Sequence, residues 1–216
     1  MAAAYSQLTE ELYRLINQLP RFNHLTPRER LPDNAVYLFF ERGEVALQPS
    51  GSVDRIVRVG AHQKNGNFRQ RIRQHYGLVN SFGGNKNGSV FRKHVGGALL
   101  RRDDQDDWRL PEWLKQMGQS YPEVEEMVSR ELRANFTFAC IQVDDQAERL
   151  ALESGIIALL AQYRLGQPSQ TWLGRLAQSD KVRATGLWNE HHVDRTPLSA
   201  AQLLRLRALA QVREGV

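Results

Sequence analysis

Apolar residues cluster in three short runs that predict the strands of a small sheet. Residues 35–41 contain Ala-Val-Tyr-Leu-Phe-Phe and residues 54–60 contain Arg-Ile-Val-Arg-Val-Gly, both rich in the β-branched and aromatic residues that favour strands. We expect these two strands to pair antiparallel across a long hairpin loop at residues 48–52. A third apolar run predicts a buried strand over residues 135–143.

Helical spacing of apolar residues predicts several helices around these strands. Ser89 and Asp145 have the residue types that cap helix N-termini, and Glu148, three residues after Asp145, completes a capping box. The predicted helices cover residues 6–19, 67–76, 89–101, 111–116, 122–133 and 145–163, followed by a leucine-rich helix after residue 199. These patterns predict an α+β fold, in which a small three-stranded sheet, mixed or antiparallel, is flanked by helices, with additional N- and C-terminal helices.

Composition restricts the class of protein. The 216 residues are enough for about one domain with helical additions, and a single cysteine excludes a disulfide framework. Lys and Arg number 29 against 24 Asp and Glu, an excess that suits a polyanionic partner but is also common in ordinary soluble proteins. The sequence has no secretory hydrophobic segment and no run of about 18 apolar residues, so we expect a soluble, cytoplasmic protein with no membrane partner.

The helix predicted over residues 67–76 carries an arginine and a histidine beside its apolar stripe. The stripe consists of apolar residues four positions apart, and Arg71 and His75, also four apart, flank it. Their position beside a buried face indicates two groups that act on a bound ligand. A surface arginine with a packed histidine is an equally good interpretation of this helix alone.

Glu153 lies within an apolar stripe of the helix predicted over residues 145–163. A carboxylate in such a position is costly unless a metal ion, an arginine or hydrogen bonds compensate it. Glu153 is therefore a candidate metal ligand. The alternative is a glutamate at the edge of the stripe whose side chain reaches solvent.

The order of elements, together with two tripeptides, resembles the GIY-YIG nuclease superfamily. Ala35-Val36-Tyr37 stands at the first signature, with its tyrosine kept and its glycine replaced by alanine. Arg58-Val59-Gly60 stands at the second, with its glycine kept and its tyrosine replaced by arginine. The resemblance divides the chain into an N-terminal helical extension (1–33), a GIY-YIG-like nuclease domain (34–193, with an insertion at about 101–134) and a C-terminal helix (194–216).

This resemblance implies a metal-dependent endonuclease that hydrolyses phosphodiester bonds in DNA. Glu153 stands at the family's metal-binding glutamate and would hold one divalent ion, Mg²⁺ or Mn²⁺. Tyr37 would position or deprotonate the attacking water, and for base work its phenol needs a lowered pKa, which Arg58 and Arg71 are expected to supply. Arg71 stands at the family's helical arginine and would bind the non-bridging phosphate oxygens.

Three further residues belong to the implied catalytic centre. Arg58 replaces a tyrosine and would act through its charge, since a permanently charged guanidinium cannot relay a proton. His75 matches a histidine found four residues after the arginine in some restriction-type members. Asn189 stands for a late polar asparagine of the family, although it lies further beyond Glu153 than the family pattern suggests.

Basic residues are predicted to surround the cleft formed by these groups and to bind phosphates without reading bases. Two of them lie in the first turns of the helix after Ser89, where a phosphate would relieve their unfavourable interaction with the helix dipole; the alternative is an exposed, solvated helix face. The predicted nucleic-acid-binding residues are Lys64, Arg69, Arg73, Lys86, Arg92 and Lys93. DNA is the expected partner, with RNA not excluded.

Two other functions stay open at the level of sequence. The altered second tripeptide allows a module that binds nucleic acid without cutting it, and the leucine-rich C-terminal helix allows a protein interaction domain. A homo-oligomer is also open. A metal site formed by His191, His192 and Asp194 is disfavoured, because adjacent histidines cannot easily direct both rings at one ion.

Overall fold

A computed structural model describes residues 2–49 and 51–211 of the protein. A three-stranded antiparallel sheet forms its centre. The strands are β1 (Ala35–Gln48), β2 (Gly51–Gly60) and β3 (Phe136–Gln142), in the order β2-β1-β3. This confirms the predicted α+β class and selects the antiparallel form of the sheet. Because β1 is central and β2 lies at an edge, one side of β2 is open to other segments.

Eight helices surround the sheet in the described part of the chain. Three short 3₁₀ turns, at Arg28–Arg30, Lys86–Gly88 and Leu173–Leu176, accompany them. The helices are α1 (Ala2–Asn17), α2 (Phe68–Tyr76), α3 (Val90–Asp103), α4 (Leu110–Leu114), α5 (Pro122–Asn135), α6 (Gln146–Gln162), α7 (Asp180–Thr185) and α8 (Ala200–Gln211). Each helix predicted from the sequence is present, within a few residues at its ends, and residues 212–216 of the predicted C-terminal helix lie outside the described residues.

The two predicted N-caps are confirmed, whereas the capping box is only half formed. The Ser89 hydroxyl accepts a hydrogen bond from the Arg92 amide, and the Asp145 carboxylate accepts one from the Glu148 amide. The Glu148 carboxylate, however, binds Arg205 of α8 at 2.7 Å. Glu148 therefore joins two helices instead of returning to the N-terminus of its own helix.

The hairpin between β1 and β2 is much tighter than predicted. Both strands continue toward the turn between Gln48 and Gly51, with an irregularity in register between Phe40 and Val45. Glu44 and Arg55, whose charges argue against buried strand positions, form a buried ion pair at 2.5 Å. The two buried charges compensate each other within the hairpin, and Ser50 of the turn lies outside the described residues.

The sheet is buried on both faces, with alternate residues of each strand facing different helices. Tyr37 and Phe39 face a core built with α2, α3 and α5. Val36 and Leu38 face a second core built with α1, α6 and α8. This two-residue alternation places Tyr37 on the same side of the sheet as α2, the helix that carries the predicted arginine and histidine.

Gly60 of β2 stands directly opposite Tyr37 of β1. Directly paired residues of an antiparallel sheet project from the same face, and a methyl group on Gly60 would overlap the Tyr37 ring. Arg58, two residues earlier and opposite Phe39, projects from that same face. The glycine of the second tripeptide is thus required by the position of the tyrosine of the first.

Glu41 is a buried carboxylate that joins the sheet to the segment after α6. Its Oε2 accepts hydrogen bonds from the indole nitrogens of Trp172 at 2.9 Å and Trp188 at 3.1 Å. Burial, opposed by these two hydrogen bonds, raises the pKa of Glu41 to about 7. Trp188 immediately precedes Asn189, so Glu41 helps to position a predicted site residue.

We predict that Glu41→Gln makes stability less dependent on pH. Folded Glu41 holds its proton more tightly than the unfolded carboxyl, so its contribution to the free energy of unfolding falls as pH rises from about 4.5 to about 7. The loss is at most on the order of 3 kcal/mol. Urea unfolding at pH 5 and pH 7.5 measures it. Equal pH dependence in the variant and the wild type would contradict the assignment.

Gly60→Ala is predicted to destabilise the protein by ~2 kcal/mol or more, because the added methyl group displaces the Tyr37 ring. Gly88→Ala is the matched control, since the nearest atom to its added methyl group would lie at 3.8 Å. Denaturant titration of both variants gives the two free energies of unfolding. The prediction fails if Gly60→Ala is no less stable than Gly88→Ala.

Candidate active site

A solvent-open cleft of about 600 Å³ lies where β2 ends. Its walls are formed by the segment after β2, by Arg71 and Gln74 of α2, by the middle of α6 and by residues 189–192. Its charged and polar lining residues include Arg58, His62, Lys64, Arg71, Glu153, Asn189, Glu190, His191 and His192. Its position beside the edge strand allows α2 and α6, which cover opposite faces of the sheet, to contribute to one site.

Tyr37 and His75 form a hydrogen-bonded pair behind this cleft. The Tyr37 hydroxyl lies 2.9 Å from His75 Nε2, and both residues are fully buried. Burial raises the pKa of Tyr37, while the nearby charges of Arg71 and Arg58 act to lower it. The expectation that these arginines give a net lowering of the pKa is wrong for the protein without substrate, because the effect of burial is larger.

His75 is held in its neutral form. Burial lowers its pKa well below the usual histidine range, and the positive charges of Arg71, Arg58 and Arg92 lower it further. Its Nδ1 lies 2.8 Å from the Ser89 hydroxyl, so both ring nitrogens have buried partners. A neutral imidazole in this position can donate one hydrogen bond and accept another.

Arg58 reaches the cleft from the edge strand and lacks a carboxylate partner among the described residues. Its Nη1 donates to the Trp188 carbonyl at 2.7 Å, and its guanidinium lies 4.9 Å from the centre of the Phe91 ring. Its buried Nε finds no acceptor in the described part of the protein. A buried cationic donor without a partner is costly, and the positive charge of Arg58 favours an anion in the cleft that the residue lines.

Arg71 is the second cation of the cleft. One of its terminal nitrogens, Nη1, donates to the Gly88 carbonyl at 2.6 Å and to Gln74 Oε1 at 3.0 Å. These bonds fix the guanidinium without neutralising it. Arg71 is therefore available to bind an anion, and its charge already acts on Tyr37 and His75.

Glu153 lies across the cleft on α6 and is anchored by one oxygen. Its Oε1 accepts a hydrogen bond from the Ala61 amide at 2.8 Å. Burial raises the pKa of Glu153, while the Ala61 hydrogen bond and the charges of Arg58 and Arg71 oppose that rise. The structure thus brings Glu153 into one site with the two arginines, although 82 positions in the sequence separate Glu153 from Arg71.

Arg149, one helical turn before Glu153, is a residue of the site that sequence reasoning missed. It is fully buried, and it donates to the carbonyls of His62 at 3.1 Å and Val143 at 2.8 Å and to the side chain of Asn65 at 2.9 Å. Together with the Glu153 contact to Ala61, it fixes the cleft wall after β2. The sequence feature that could have revealed Arg149 is the occurrence of a basic residue among apolar positions of the helix.

Asn189 lies in the cleft wall, as expected, but both ends of its amide group are occupied. Its Oδ1 accepts from the Val59 amide at 3.0 Å, and its Nδ2 donates to the Val59 carbonyl at 2.9 Å. The side chain thereby pairs with the open edge of β2 as a neighbouring strand would. This contact holds residues 189–192 against the site.

The basic residues predicted to surround the cleft are found in different environments. Lys64 lines the cleft and Arg73 is exposed on α2, whereas Lys93, near Glu190, is half-buried. Arg69 pairs with Asp33 at 2.7 Å and also binds the Leu31 carbonyl. These two contacts already occupy the Arg69 guanidinium.

Arg92 and Lys86 do not take the predicted positions at the cleft. Arg92 is fully buried and pairs with Glu125 at 2.7 Å, and it also donates to the His75 carbonyl at 2.9 Å. Lys86 is almost fully buried and donates to the Lys115 carbonyl at 3.1 Å. Sequence position at a helix N-terminus did not reveal that Glu125, 33 residues later, neutralises Arg92 within the core.

A second cavity of about 430 Å³ lies beside the first, and Gln74 lines both. It contains two exposed arginines, Arg28 and Arg73, that form no ion pair with any residue the structure describes. Three glycines and no acidic residue are among the described residues that line it. Arg28, which sequence reasoning also missed, lies in a 3₁₀ turn distant from α2 in sequence.

No metal centre is formed by the other candidate ligands. Among residues 2–49 and 51–211, no group of three histidine, cysteine or acidic side chains is placed to hold an ion. Asp194 pairs with Lys181 at 3.0 Å. The described helices also include none with the length and apolar character needed to cross a membrane.

Comparisons with known proteins identify the family. A search of curated proteins gives no match, and a search of solved structures gives none either. The family model described as the GIY-YIG domain matches residues 1–213, nearly the whole chain, including the N-terminal and C-terminal helices. The protein therefore belongs to the GIY-YIG domain family, a nuclease-type family.

Proposed function

We propose that this protein is a metal-dependent endonuclease that hydrolyses phosphodiester bonds in DNA. The observation that carries the proposal is that one open cleft beside the buried hydroxyl of Tyr37 contains the Glu153 carboxylate and two cations, Arg58 and Arg71, that have no carboxylate partner among the described residues. The second carboxylate that lines the cleft, Glu190, lies 3.1 Å from His94. Two fixed positive charges suit a phosphodiester, whose charge is negative and increases in the transition state. The cytoplasm is the proposed compartment, and RNA is an alternative substrate.

The donor groups suit one hard divalent ion, Mg²⁺ or Mn²⁺. Mg²⁺ is usually held by one or two carboxylates, with waters and substrate phosphates completing its shell. Glu153 supplies one carboxylate, and the Ala61 hydrogen bond to Oε1 fixes its orientation. When bound, the ion would neutralise charge on the phosphate and on the leaving oxygen.

The two arginines bind and orient the phosphate in this proposal. Arg71 is fixed through the Gly88 carbonyl and Arg58 through the Trp188 carbonyl, so each guanidinium is held in place before substrate arrives. Preorganised donors of this kind stabilise developing charge without reorganising during the reaction.

Tyr37 is the proposed base or water-positioning group. In the free protein, burial keeps its proton on the phenol, so base function requires the charges of Arg58 and Arg71 to act on the tyrosinate once the substrate excludes water. His75 holds the hydroxyl from behind at 2.9 Å. The histidine is neutral and can therefore exchange hydrogen-bond roles with the phenol.

The second cavity is the proposed site for neighbouring phosphates of the same nucleic acid. It adjoins the cleft along α2, and Arg28 and Arg73 give it a positive charge that no acid among its described lining residues offsets. Contacts between arginine side chains and phosphates position the nucleic-acid backbone without reading its base sequence. Lys64 would serve the same purpose within the cleft.

Glu153→Gln is predicted to abolish cleavage and to leave DNA binding intact. The amide keeps the shape of the side chain but loses the charge that holds a divalent ion, whereas DNA binding depends on the cationic residues.

Tyr37→Phe should lower the cleavage rate by a factor of about 10² to 10⁴ if the phenol is a general base, and excess Mn²⁺ should not restore the rate. Plasmid cleavage with and without Mg²⁺ or Mn²⁺ measures both effects.

Glu148→Gln is the matched control for the metal ligand. It makes the same substitution on the same helix, at a residue that pairs with Arg205 outside the cleft. Cleavage at the wild-type rate is expected. If Glu153→Gln cuts as fast as this control, α6 does not carry the metal site. If the wild type binds DNA without a metal ion and does not cut it, the protein is a nucleic-acid-binding module and not a nuclease.

Arg28→Ala/Arg73→Ala is predicted to weaken DNA binding and to reduce its salt dependence. The slope of log K against log salt is negative, and each lost phosphate contact reduces its magnitude by about 0.9, so we expect that magnitude to fall by roughly 2. Arg14→Ala/Arg207→Ala is the control, because it removes the same charge from α1 and α8 on the other side of the sheet. Equal slopes in the two double variants would exclude the second cavity from the binding surface.

A further inference from the structure

The loop between α2 and α3 exposes apolar side chains to which the reaction as proposed gives no role. In this apolar loop, residues 77–84, the adjacent side chains of Leu78 and Val79 are 57% and 62% exposed. Phe82, in the same loop, is half-buried. Single exposed aliphatic residues are common on protein surfaces, whereas neighbouring ones beside charged groups mark interaction surfaces.

The backbone of the apolar loop is held in place. The Leu78 amide donates to the Gly83 carbonyl at 2.7 Å, which brings the two ends of the loop together. Arg133 of α5 donates to the carbonyls of Tyr76 and Val79, each at 3.2 Å, and it also donates to the Leu78 carbonyl. A loop fixed in this way loses little conformational entropy when its exposed side chains bind a ligand.

Two arginines pack against Phe82 in the same loop. The guanidinium carbon of Arg130 lies 4.3 Å from the centre of the Phe82 ring, and that of Arg133 lies 4.4 Å from it. Phe82 has a φ of 54°, in the left-handed region that a bulky residue rarely adopts, and these cation–π contacts help to stabilise that conformation. Arg130 also pairs with Glu126, but Arg133 forms no ion pair with any residue that the structure describes. The apolar loop therefore lies in positively charged surroundings.

The apolar loop also borders the second cavity. Leu78 lines that cavity together with Arg28 and Arg73. Gln74, four residues before Leu78, lines both this cavity and the cleft. Aliphatic side chains thus lie next to the arginines that are proposed to hold phosphates, and on the same path to the site.

This combination fits a nucleic acid whose bases are not fully stacked. A paired duplex presents phosphates and sugars on its outside, and the apolar faces of its bases become accessible only where a stack is opened. Proteins that open a stack do so with apolar side chains inserted between base steps, beside cationic groups that hold the backbone. Leu78 and Val79 are side chains of this kind in such a position.

We propose that the apolar loop binds nucleic acid at a point where base stacking is interrupted. Leu78 and Val79 contact an unstacked base, while the arginines of the second cavity hold the phosphates beside it. The continuity of the loop with the cavity and the cleft favours this ligand over a membrane surface or a second copy of the chain. The inference rests on the proposed function in that it takes nucleic acid to be the ligand of the cleft.

Two DNA duplexes that differ only in stacking test the proposal. One is fully paired, and the other carries a bulge of two unpaired nucleotides in the same sequence. Fluorescence anisotropy without divalent metal measures binding of the whole protein to each, so that neither duplex is cut. The wild type should bind the bulged duplex about tenfold more tightly, because its bases are already free of the stack. Equal affinity for the two duplexes would overturn the proposal.

Leu78→Ser/Val79→Ser should bring the ratio of the two dissociation constants close to one. The matched control is Leu47→Ser/Leu204→Ser, which replaces two aliphatic side chains, each 66% exposed, that line neither the cleft nor the second cavity. The control should keep the wild-type ratio. An unchanged ratio in Leu78→Ser/Val79→Ser, or an equal loss in both double variants, would overturn the proposal.

Other occupants of the apolar loop give different results in the same variants. Sedimentation would show a second copy of the chain if the wild type is a dimer that Leu78→Ser/Val79→Ser converts to a monomer. Flotation with phosphatidylserine vesicles would show a membrane surface if only the protein with both aliphatic residues binds them. Either result, without a change in the ratio of DNA affinities, would overturn the proposal.

Failure of the proposal and failure of the proposed function are distinguishable. If the wild type prefers the bulged duplex but does not cut it in Mg²⁺ or Mn²⁺, the endonuclease function fails and the inference about the apolar loop stands. If the wild type cuts DNA and binds both duplexes equally, the function stands and the inference fails. Binding to neither duplex would overturn both.

Discussion

The packing of Tyr37 against Gly60 is the constraint on which the site depends. β1 is central in the sheet and β2 is at its edge, so the tyrosine can approach the edge only because its partner in β2 has no side chain. The same register places Arg58 on the Tyr37 face. The two tripeptides are thus paired with each other in the sheet. The first supplies Tyr37, and the second supplies the glycine that leaves room for the Tyr37 ring.

Buried charges are numerous around this pair, and the way each is satisfied determines the electrostatics of the cleft. Arg58 and Arg149 are bound by backbone carbonyls, which fix a guanidinium without cancelling its charge. Arg92, by contrast, is neutralised by Glu125 within the core. Carbonyl partners leave the net charge of an arginine unchanged, so Arg58 can attract anions to the cleft. Arg92, which lies behind the cleft and is paired with Glu125, instead holds core elements together.

Burial on both faces of the sheet also explains the protonation states at the site. Tyr37 and His75 are enclosed between the sheet, α2 and α3, and the low polarity of that core favours the neutral form of each. Glu153 is subject to the same effect on the other side, opposed by the Ala61 amide and two arginines. The proposed phosphodiester substrate would therefore meet fixed cations in front and neutral hydrogen-bonding groups behind, an arrangement suited to stabilising negative charge.

The sequence by itself determined the α+β class, the three strands and the helices, because hydrophobic periodicity and helix caps are local signals. It also placed Tyr37, Arg71 and Glu153 at their positions in these elements. It did not reveal that Arg92 is buried, that Arg28 reaches a cavity beside α2, or that Arg149 holds the cleft wall. The partners that decide these roles lie far away in the chain, and only the tertiary structure brings them into contact.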